Sequence, residues 1–468
     1  MPMPMPMPPD YLACLEFLYG RLNFERTGMP RVGSNELRLG RMRRLLRLLG
    51  DPQDALRIIH VAGTKGKGST AAMIAAALTA SGVRTGLFCS PHLHNLEERF
   101  TVDGRAATPE ALVGLTEAVR PAVAALDARD RGASWSRRGP TFFEVTAAMG
   151  LLHFAGVNAG AVVLEVGLGG RLDSTNVVRP VLSVLTTISL DHTRQLGPTL
   201  GAIATEKAGI LKRGRPAVSG VTGEEARAVV RRQAALRRAP LREIGVDFGY
   251  VYRPPEPPLS APTAGTVGVR TWRSDWSPVG LPLLGAHQAH NAAVALAALD
   301  VLAEQGLAVD EAAVSRGFAA MSWPARVEVA GRSPTLVIDG AHNVASAEAL
   351  AESLRTCFPP SPRTLVFGTT RDKDLRGQLR ALLPLFDACV ATRYVENPRA
   401  VPPEEVAAAV SELSELSPGV AADPASALAE ARRRTTTGGL ICVTGSLFLA
   451  AEARALALDL SPREAPRP

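Results

Sequence analysis

The chain has 468 residues and a formal net charge of +7, and its 46% hydrophobic content supports two or three cored domains. No apolar run reaches the length of a membrane span and no basic-then-apolar leader opens the chain. Aromatics at only 5%, with no recognition motif, argue against nucleic-acid binding.

The opening MPMPMPMPPD, residues 1–10, is a low-complexity tail expected to be disordered. Arginine clusters at 41–47, 227–238 and 432–434 read as solvated helix faces. Residues 57–62 read as a strand, followed by a glycine-rich loop and a helix over 69–81 that Gly82 stops. The next strand is 84–88. Thr108-Pro109-Glu110 reads as a helix start, with proline at the first helical position. A helix over 142–154, strands over 161–166 and 181–188, and a helix over 199–211 follow. Residues 240–284 change character, with Pro, Gly and Trp and a strand-like piece at 265–272, and read as a β-subdomain. A helix is expected over 288–304.

A second series begins near Pro334, with strands at 335–339, 364–367, 388–392 and 440–444. The pattern is α/β: a parallel-sheet domain over 11–322 that carries a glycine-rich loop of the phosphate-loop type, a linker over 323–333 around Trp323-Pro324-Ala325-Arg326, and a smaller Rossmann-like domain over 334–468. Five scattered cysteines, Cys14, Cys89, Cys357, Cys389 and Cys442, form no C-x-x-C pair. They point away from a zinc cage or disulfide frame and fit a reducing cytoplasm.

Gly63-Thr64-Lys65-Gly66-Lys67-Gly68-Ser69-Thr70 lies between a strand and a helix, the context a phosphate cradle needs. Glycines let backbone N–H groups face phosphate oxygens, and the helix N-terminus adds its positive end. Lys67 can reach the β- and γ-phosphates, and the Ser69 or Thr70 hydroxyl can face phosphate or Mg²⁺. The spacing is not G-x-x-x-x-G-K-[ST], because a glycine separates lysine from serine. Lys65 is the weaker candidate and reads as projecting into solvent. Glu165 ends a hydrophobic strand, where parallel sheets place ligands, and a carboxylate there suits Mg²⁺. Ser90 ends another strand and offers a second oxygen. His192 taken alone reads as a hydrogen-bonded loop histidine.

His60 to Ser69 followed by Ser90-Pro91-His92-Leu93 makes the sequence recognisable. Glu165-Val166-Gly167-Leu168-Gly169-Gly170-Arg171-Leu172-Asp173-Ser174-Thr175-Asn176 comes next, then Asp191-His192 and Glu206-Lys207-Ala208-Gly209-Ile210. Asp339-Gly340-Ala341-His342-Asn343, Asp372-Lys373-Asp374 and Gly445-Ser446-Leu447 complete the series. In this order the set resembles the folylpolyglutamate synthase/dihydrofolate synthase family of the Mur-ligase superfamily. The resemblance implies a monomer that phosphorylates a folate-type carboxylate with ATP and lets the amine of L-glutamate attack the acyl phosphate.

By that resemblance Ser90, Glu165 and His192 serve two Mg²⁺ sites, and a monovalent cation such as K⁺ is admitted. Lys207 is carbamylated by CO₂; the residues alone leave open an unmodified lysine paired with Glu206 or Asp191. Asn291 is the adenine-side residue, Arg326 contacts ATP phosphates, Asp339 binds ribose, and His342 lies near the γ-phosphate or the incoming glutamate. Without the resemblance Asn291 reads as a helix-surface residue and Arg326 as a linker salt bridge. Thr141-Phe142-Phe143-Glu144 and Leu172-Asp173-Ser174 match segments that contact folate or dihydropteroate. A phenylalanine there could stack on the pterin and Asp173 could pair with its amino-imine edge, although at least one phenylalanine reads as core. The 372–374 motif is a candidate for positioning glutamate.

The motifs do not separate a bifunctional synthase from a folylpolyglutamate synthase alone. A cell-wall Mur ligase fits less well, because the loop starts after about sixty residues with no UDP-sugar domain before it. A phosphate-loop switch or motor would need the standard lysine spacing, and a non-catalytic module would be expected to lose Lys67, Glu165, His192 or Lys207.

Overall fold

A computed structural model describes residues 10–27, 39–129, 139–255, 264–359 and 362–459. Residues 1–9 of the expected tail lie outside that set. The first sheet has eight strands, in the spatial order Arg105–Ala106, Phe100–Val102, Thr85–Phe88, Ala161–Glu165, Ile58–Ala62, Leu182–Leu185, Ala217–Ser219, Leu241–Glu243. From Thr85–Phe88 onward every neighbouring pair is parallel, and only the hairpin at the edge is antiparallel. The central strands Ile58–Ala62 and Ala161–Glu165 are buried at every residue, as sequences apolar on both faces require.

Helices Lys67–Ala80 and Ala286–Ala303 pack together on this sheet, and both are so rich in alanine that they are buried nearly all round. Residues 240–284 do carry a small antiparallel sheet, Gly249–Arg253, Ala264–Arg270 and Asp275–Leu281. The buried Asp300 of helix Ala286–Ala303 clamps it, accepting from Thr271 Oγ1 at 2.5 Å, Ser274 Oγ at 2.7 Å and Trp276 Nε1 at 3.2 Å. The insertion thereby fixes the helix that carries Asn291.

The second sheet has six strands, in the order Glu328–Arg332, Thr335–Ile338, Leu440–Thr444, Arg363–Phe367, Ala388–Ala391, Gly419–Val420. All pair in parallel except the first two. The α/β expectation with two parallel sheets therefore holds. Glu328–Arg332, expected within the linker, is instead an edge strand of this sheet, because it turns back at Ser333-Pro334 and pairs with Thr335–Ile338.

Two helix bounds also shift. The phosphate-loop helix begins at Lys67, two residues before the expected start, so Lys67 lies in its first turn. The helix expected over 199–211 stops at Lys207 and tightens into a 3₁₀ turn over Ala208–Ile210. A Cβ on Gly209 would lie 2.5 Å from the Arg171 Cα, so the chain passes here at backbone-to-backbone distance. Asn176 Nδ2 donates to the Gly209 carbonyl at 3.2 Å, which holds this turn against the 167–176 loop.

All five cysteines are buried and unpaired. The arginine clusters are ion-paired in place: Arg41 with Glu144, Arg227 and Arg231 with Glu243, Arg433 and Arg434 with Glu430. Among the described residues no helix is long and apolar enough to cross a membrane.

Candidate active site

The site lies at the carboxyl ends of the central strands, on either side of Ile58–Ala62, where the strand order reverses direction. The phosphate loop leaves this strand at Gly63 and is tied to the end of Leu182–Leu185. Thr64 N donates to Thr187 O at 2.7 Å and Lys65 N to Thr187 Oγ1 at 3.0 Å, while Thr186 Oγ1 donates to Lys65 O at 2.6 Å.

Gly66 has φ +80°, and a Cβ on it would lie 2.1 Å from Asn291 Oδ1. Asn291 is thus no helix-surface residue: it is buried, presses on the loop, and donates from Nδ2 to Gln288 Oε1 at 2.9 Å. Gly66→Ala combines this overlap with a left-handed backbone that costs an L-residue roughly 1–2 kcal/mol. We expect a lowered Tm and a KM for ATP raised about tenfold or more; a variant that melts and binds ATP like the parent would refute this tight coupling of loop and helix.

Lys67 Nζ stands 4.0 Å from Glu165 Oε1, and Ser90 N donates to Glu165 Oε2 at 3.2 Å. The three groups therefore meet beneath the loop. Burial pushes the Glu165 carboxyl up, against the pull of Lys67, the Ser90 N–H and Arg326. Among the described residues the ion-pair partner of Glu165 Oε1 is Lys67 at 4.0 Å, which leaves this oxygen lone pairs to offer a cation. This donor set fits Mg²⁺, which takes one or two protein oxygens and completes its octahedron with phosphate and water.

His192 sits at φ +49° before the short helix Thr193–Leu196, with its Nε2 3.9 Å from Asp191 Oδ1. Burial and Lys373 lower its pKa to about 4, so the ring is a neutral donor at physiological pH. Among the described residues no three His, Cys, Asp or Glu side chains converge into a cage.

The largest departure from the sequence reading is Lys65. It does not project into solvent. Its Nζ donates to Asp191 Oδ2 at 2.9 Å and to His342 Nε2 at 3.3 Å. Asp191 also accepts from Lys373 Nζ at 3.1 Å, Asn343 Nδ2 at 2.7 Å and the backbone N–H of His192 at 2.9 Å. One carboxylate thus joins the phosphate loop to two loops of the second sheet. Burial would raise the Asp191 carboxyl, but Lys65, His192 and Lys373 outweigh it and hold the group well below the usual carboxylate range. Burial lowers Lys65 to about 8 even with Asp191 beside it.

His342 Nδ1 lies 2.8 Å from the Gly340 carbonyl, which can only accept, so Nδ1 carries the proton and Nε2 presents its lone pair. Lys65 and burial together push this ring's pKa well below the ordinary imidazole value. These contacts span 126 to 277 positions of sequence, and no local pattern signals them.

Lys207 is buried at the end of its helix, and its Nζ donates to the Gly63 carbonyl at 2.8 Å. Neither Glu206 nor Asp191 is its salt-bridge partner: Glu206 pairs with Arg171. Burial, then repulsion from Lys67 and Lys65, drives the Lys207 amine well below its ordinary pKa, although Asp191 and Asp173 oppose this.

Asp339 ends the strand Thr335–Ile338 and accepts from Val327 N at 2.8 Å and Ala341 N at 2.7 Å. Arg326 donates to the Ala325 carbonyl at 2.8 Å and is close enough to act on both Glu165 and Asp339.

The segments expected at the pterin separate. Phe142 is fully buried, stacked on Tyr19 at 5.3 Å with the Arg99 guanidinium 5.1 Å from its ring, and is a core residue. Phe143 is half-buried and lies against Gly167. Thr141 and Glu144 form a capping box, and Glu144 Oε2 also takes Arg41 Nε at 2.6 Å, so both start the helix Phe142–Gly156. Asp173 accepts from Leu168 N at 2.8 Å and from Thr175 N and Oγ1 at 2.9 and 2.5 Å, which shapes the loop. Leu172 and Ser174 on either side are half-buried.

Residues 325–447 match the family model "Mur ligase, glutamate ligase domain". The chain is 34% identical over 418 residues to the dihydrofolate synthase/folylpolyglutamate synthase of Bacillus subtilis, covering 89% of this chain and 94% of that one. It is 38% identical over 412 residues to a probable bifunctional folylpolyglutamate synthase/dihydropteroate synthase of Halobacterium salinarum; this covers 88% of the chain but only 48%, about half, of that longer relative. The crystal structure of Mycobacterium tuberculosis folylpolyglutamate synthase complexed with ADP and AMPPCP is similar with a TM-score of 0.86 at 34% identity, over 97% of this chain and 100% of that one. With this agreement along nearly its whole length, the chain belongs to the folylpolyglutamate synthase/dihydrofolate synthase family, ATP-dependent amide-forming ligases of the Mur-ligase kind.

Proposed function

We propose that this protein joins L-glutamate to folates, and to dihydropteroate as well, through an acyl phosphate made with ATP. The observation that carries the reading is the meeting of Lys67 and Glu165 beneath a glycine loop that second-sheet residues close through Asp191. In this proposal the eight-stranded unit holds ATP and the acid, and the six-stranded unit brings glutamate. Gly63, Thr64, Gly66, Gly68, Ser69 and Thr70 supply N–H and hydroxyl donors to the phosphates. Asn291 lies on the adenine side, Arg326 at the phosphates and Asp339 at the ribose.

Glu165, Ser90 and His192 would hold Mg²⁺, which supplies charge neutralisation on the phosphates, and a monovalent cation such as K⁺ belongs to the same proposal. Lys67 faces the transferring phosphoryl group. The substrate carboxylate oxygen bonds to the γ-phosphorus as the bond to ADP breaks. The glutamate amine then attacks the acyl carbon, phosphate leaves with both electrons of the C–O bond and takes up the amine proton, and His342 lies near the γ-phosphate or the incoming glutamate. Phe143, Leu172 and Ser174 remain the candidates for the pterin face, with Asp173 shaping their loop; Phe142, Thr141 and Glu144 act at one remove. Lys207 is proposed to carry a carbamate. The enzyme is proposed to work as a monomer in the cytoplasm.

Purified protein given ATP, Mg²⁺ and glutamate with either dihydropteroate or tetrahydrofolate should form ADP and conjugate with both. Conjugate from tetrahydrofolate alone leaves a folylpolyglutamate synthase, and none from either overturns the reading. Glu165→Gln should raise the Mg²⁺ concentration needed for half-maximal turnover about tenfold or more, since a neutral amide oxygen is a poor Mg²⁺ ligand, while leaving folate affinity close to the parent's. An unchanged Mg²⁺ requirement would remove Glu165 from the metal position.

A further inference from the structure

His60 lies in the middle of the strand Ile58–Ala62 that leads into the phosphate loop, and its side chain is wholly buried. Its neighbours Ile58, Ile59, Val61 and Ala62 are apolar and equally buried, and Leu164 and Ser183 stand beside it on the flanking strands. A buried imidazole is costly in such a setting unless its nitrogens are bonded. Only one of them is. Nε2 lies 2.8 Å from Thr175 Oγ1, whereas Nδ1 has no hydrogen-bond partner among the described residues.

The bonds beyond His60 have one consistent direction. Thr175 Oγ1 lies 2.5 Å from Asp173 Oδ1, and a carboxylate only accepts, so the hydroxyl donates to it. The hydroxyl oxygen then accepts from His60, and the shared proton sits on Nε2. Burial lowers the ring to about 3, so it is neutral and carries that single proton. The opposite tautomer would strand an N–H at Nδ1 and turn the hydroxyl away from Asp173. Burial also pushes the Asp173 carboxyl up, and the Thr175 hydroxyl is first among the groups that pull it back. Other groups hold the ends of the loop: Leu168 N donates to Asp173 Oδ2 at 2.8 Å, and Lys212 Nζ to Asn176 Oδ1 at 2.7 Å.

We infer that His60 is a positioning residue for the acid substrate: through Thr175 it holds Asp173, and with it the 167–176 loop, in the shape that receives the pterin end. The inference rests on the acid site proposed above, with Leu172 and Ser174 on either side of Asp173. A side chain needed only to fill the core would be apolar, because leucine takes similar space and leaves no nitrogen unpaired. The imidazole carries the penalty of Nδ1, and the bond it gains in return is the one to the loop. His60 itself stays out of reach of substrate, being wholly buried. Its strand also runs into the phosphate loop, so a general loss of rigidity would disturb ATP and acid alike, whereas the chain through Thr175 leads to the acid side alone.

The test is His60→Leu in the full chain, beside Thr175→Val, which removes the hydroxyl and keeps the shape, and the double variant. KM is measured for tetrahydrofolate, ATP and glutamate, with Tm alongside. Each single change should raise the KM for tetrahydrofolate about tenfold, the size of one lost hydrogen bond to a charged group, and leave those for ATP and glutamate close to the parent's. The double variant should be no worse than either single one, since both cut the same chain. Tm should stay near the parent's in His60→Leu, because the unpaired nitrogen goes with the ring. Equal rises in all three KM values, additive effects in the double variant, or an unmoved KM for tetrahydrofolate would each overturn the inference and leave His60 a packing residue. Thr175→Val decides the matter even where His60→Leu does not fold, because a packing role for His60 predicts no effect on the acid from a lost hydroxyl. Conjugate formation by the parent run alongside shows separately whether the ligase reading stands.

Discussion

Lys67→Ala should lower turnover at saturating ATP by a factor on the order of 10²–10³, the loss typical of removing one preorganised charge from a developing anion. The ammonium sits in the first turn of Lys67–Ala80, with Glu165 at 4.0 Å, and in the proposed reaction its charge would face the phosphoryl oxygens. Only about 18% of the side chain is exposed, so the fold of the variant is measured beside its turnover. Circular dichroism and melting should match the parent while ADP formation collapses. Near-parental turnover in a well-folded variant would remove the loop from the chemistry.

Lys207 should show an effect of similar size but opposite logic. A buried amine whose pKa burial and Lys67 push well below the ordinary lysine value can add CO₂ once deprotonated, forming an N–C bond and releasing one proton to leave a carbamate anion. Lys207→Ala should therefore be inactive, and a small carboxylate such as acetate should restore part of the activity. Lys207→Arg should stay inactive, because guanidinium keeps its charge and cannot trap CO₂. A lysine that only tethers the Gly63 carbonyl, the contact seen at 2.8 Å, would tolerate arginine better and ignore acetate. An active arginine variant, with intact mass showing no CO₂ adduct on the parent, would exclude the carbamate and leave the ligase assignment standing.

Residues whose chemistry is local were legible in the sequence. Gly63, Gly66 and Lys67 sit in one loop, and Glu165 ends a strand whose apolar run fixes its direction. The parallel sheets followed from alternating strand and helix patterns. Lys65 was not legible, because its partners Asp191 and His342 lie in other loops, one of them in the other sheet's unit. The choice between Phe142 and Phe143 was hidden for another reason. Helix Phe142–Gly156 is apolar on almost every side, so periodicity cannot say which ring faces the core. The helix expected over 199–211 ran too long because propensity cannot see Gly209 pressed against the Arg171 backbone.

The Asp191 junction has a consequence for the timing of catalysis. Three side-chain donors from separate stretches of chain, Lys65, Asn343 and Lys373, end on one carboxylate, and so tie the phosphate loop to the loops bearing Asn343 and Lys373. Ordering those loops separately would cost backbone entropy on the order of 1–2 kcal/mol per residue fixed, met afresh whenever substrate arrived. Held by a shared ion, they are ordered when the chain folds, and substrate meets a cradle already set. The junction also holds against added salt, because the Asp191 side chain is 7% and that of Lys373 12% exposed, and salt screens buried ion pairs far less than exposed ones.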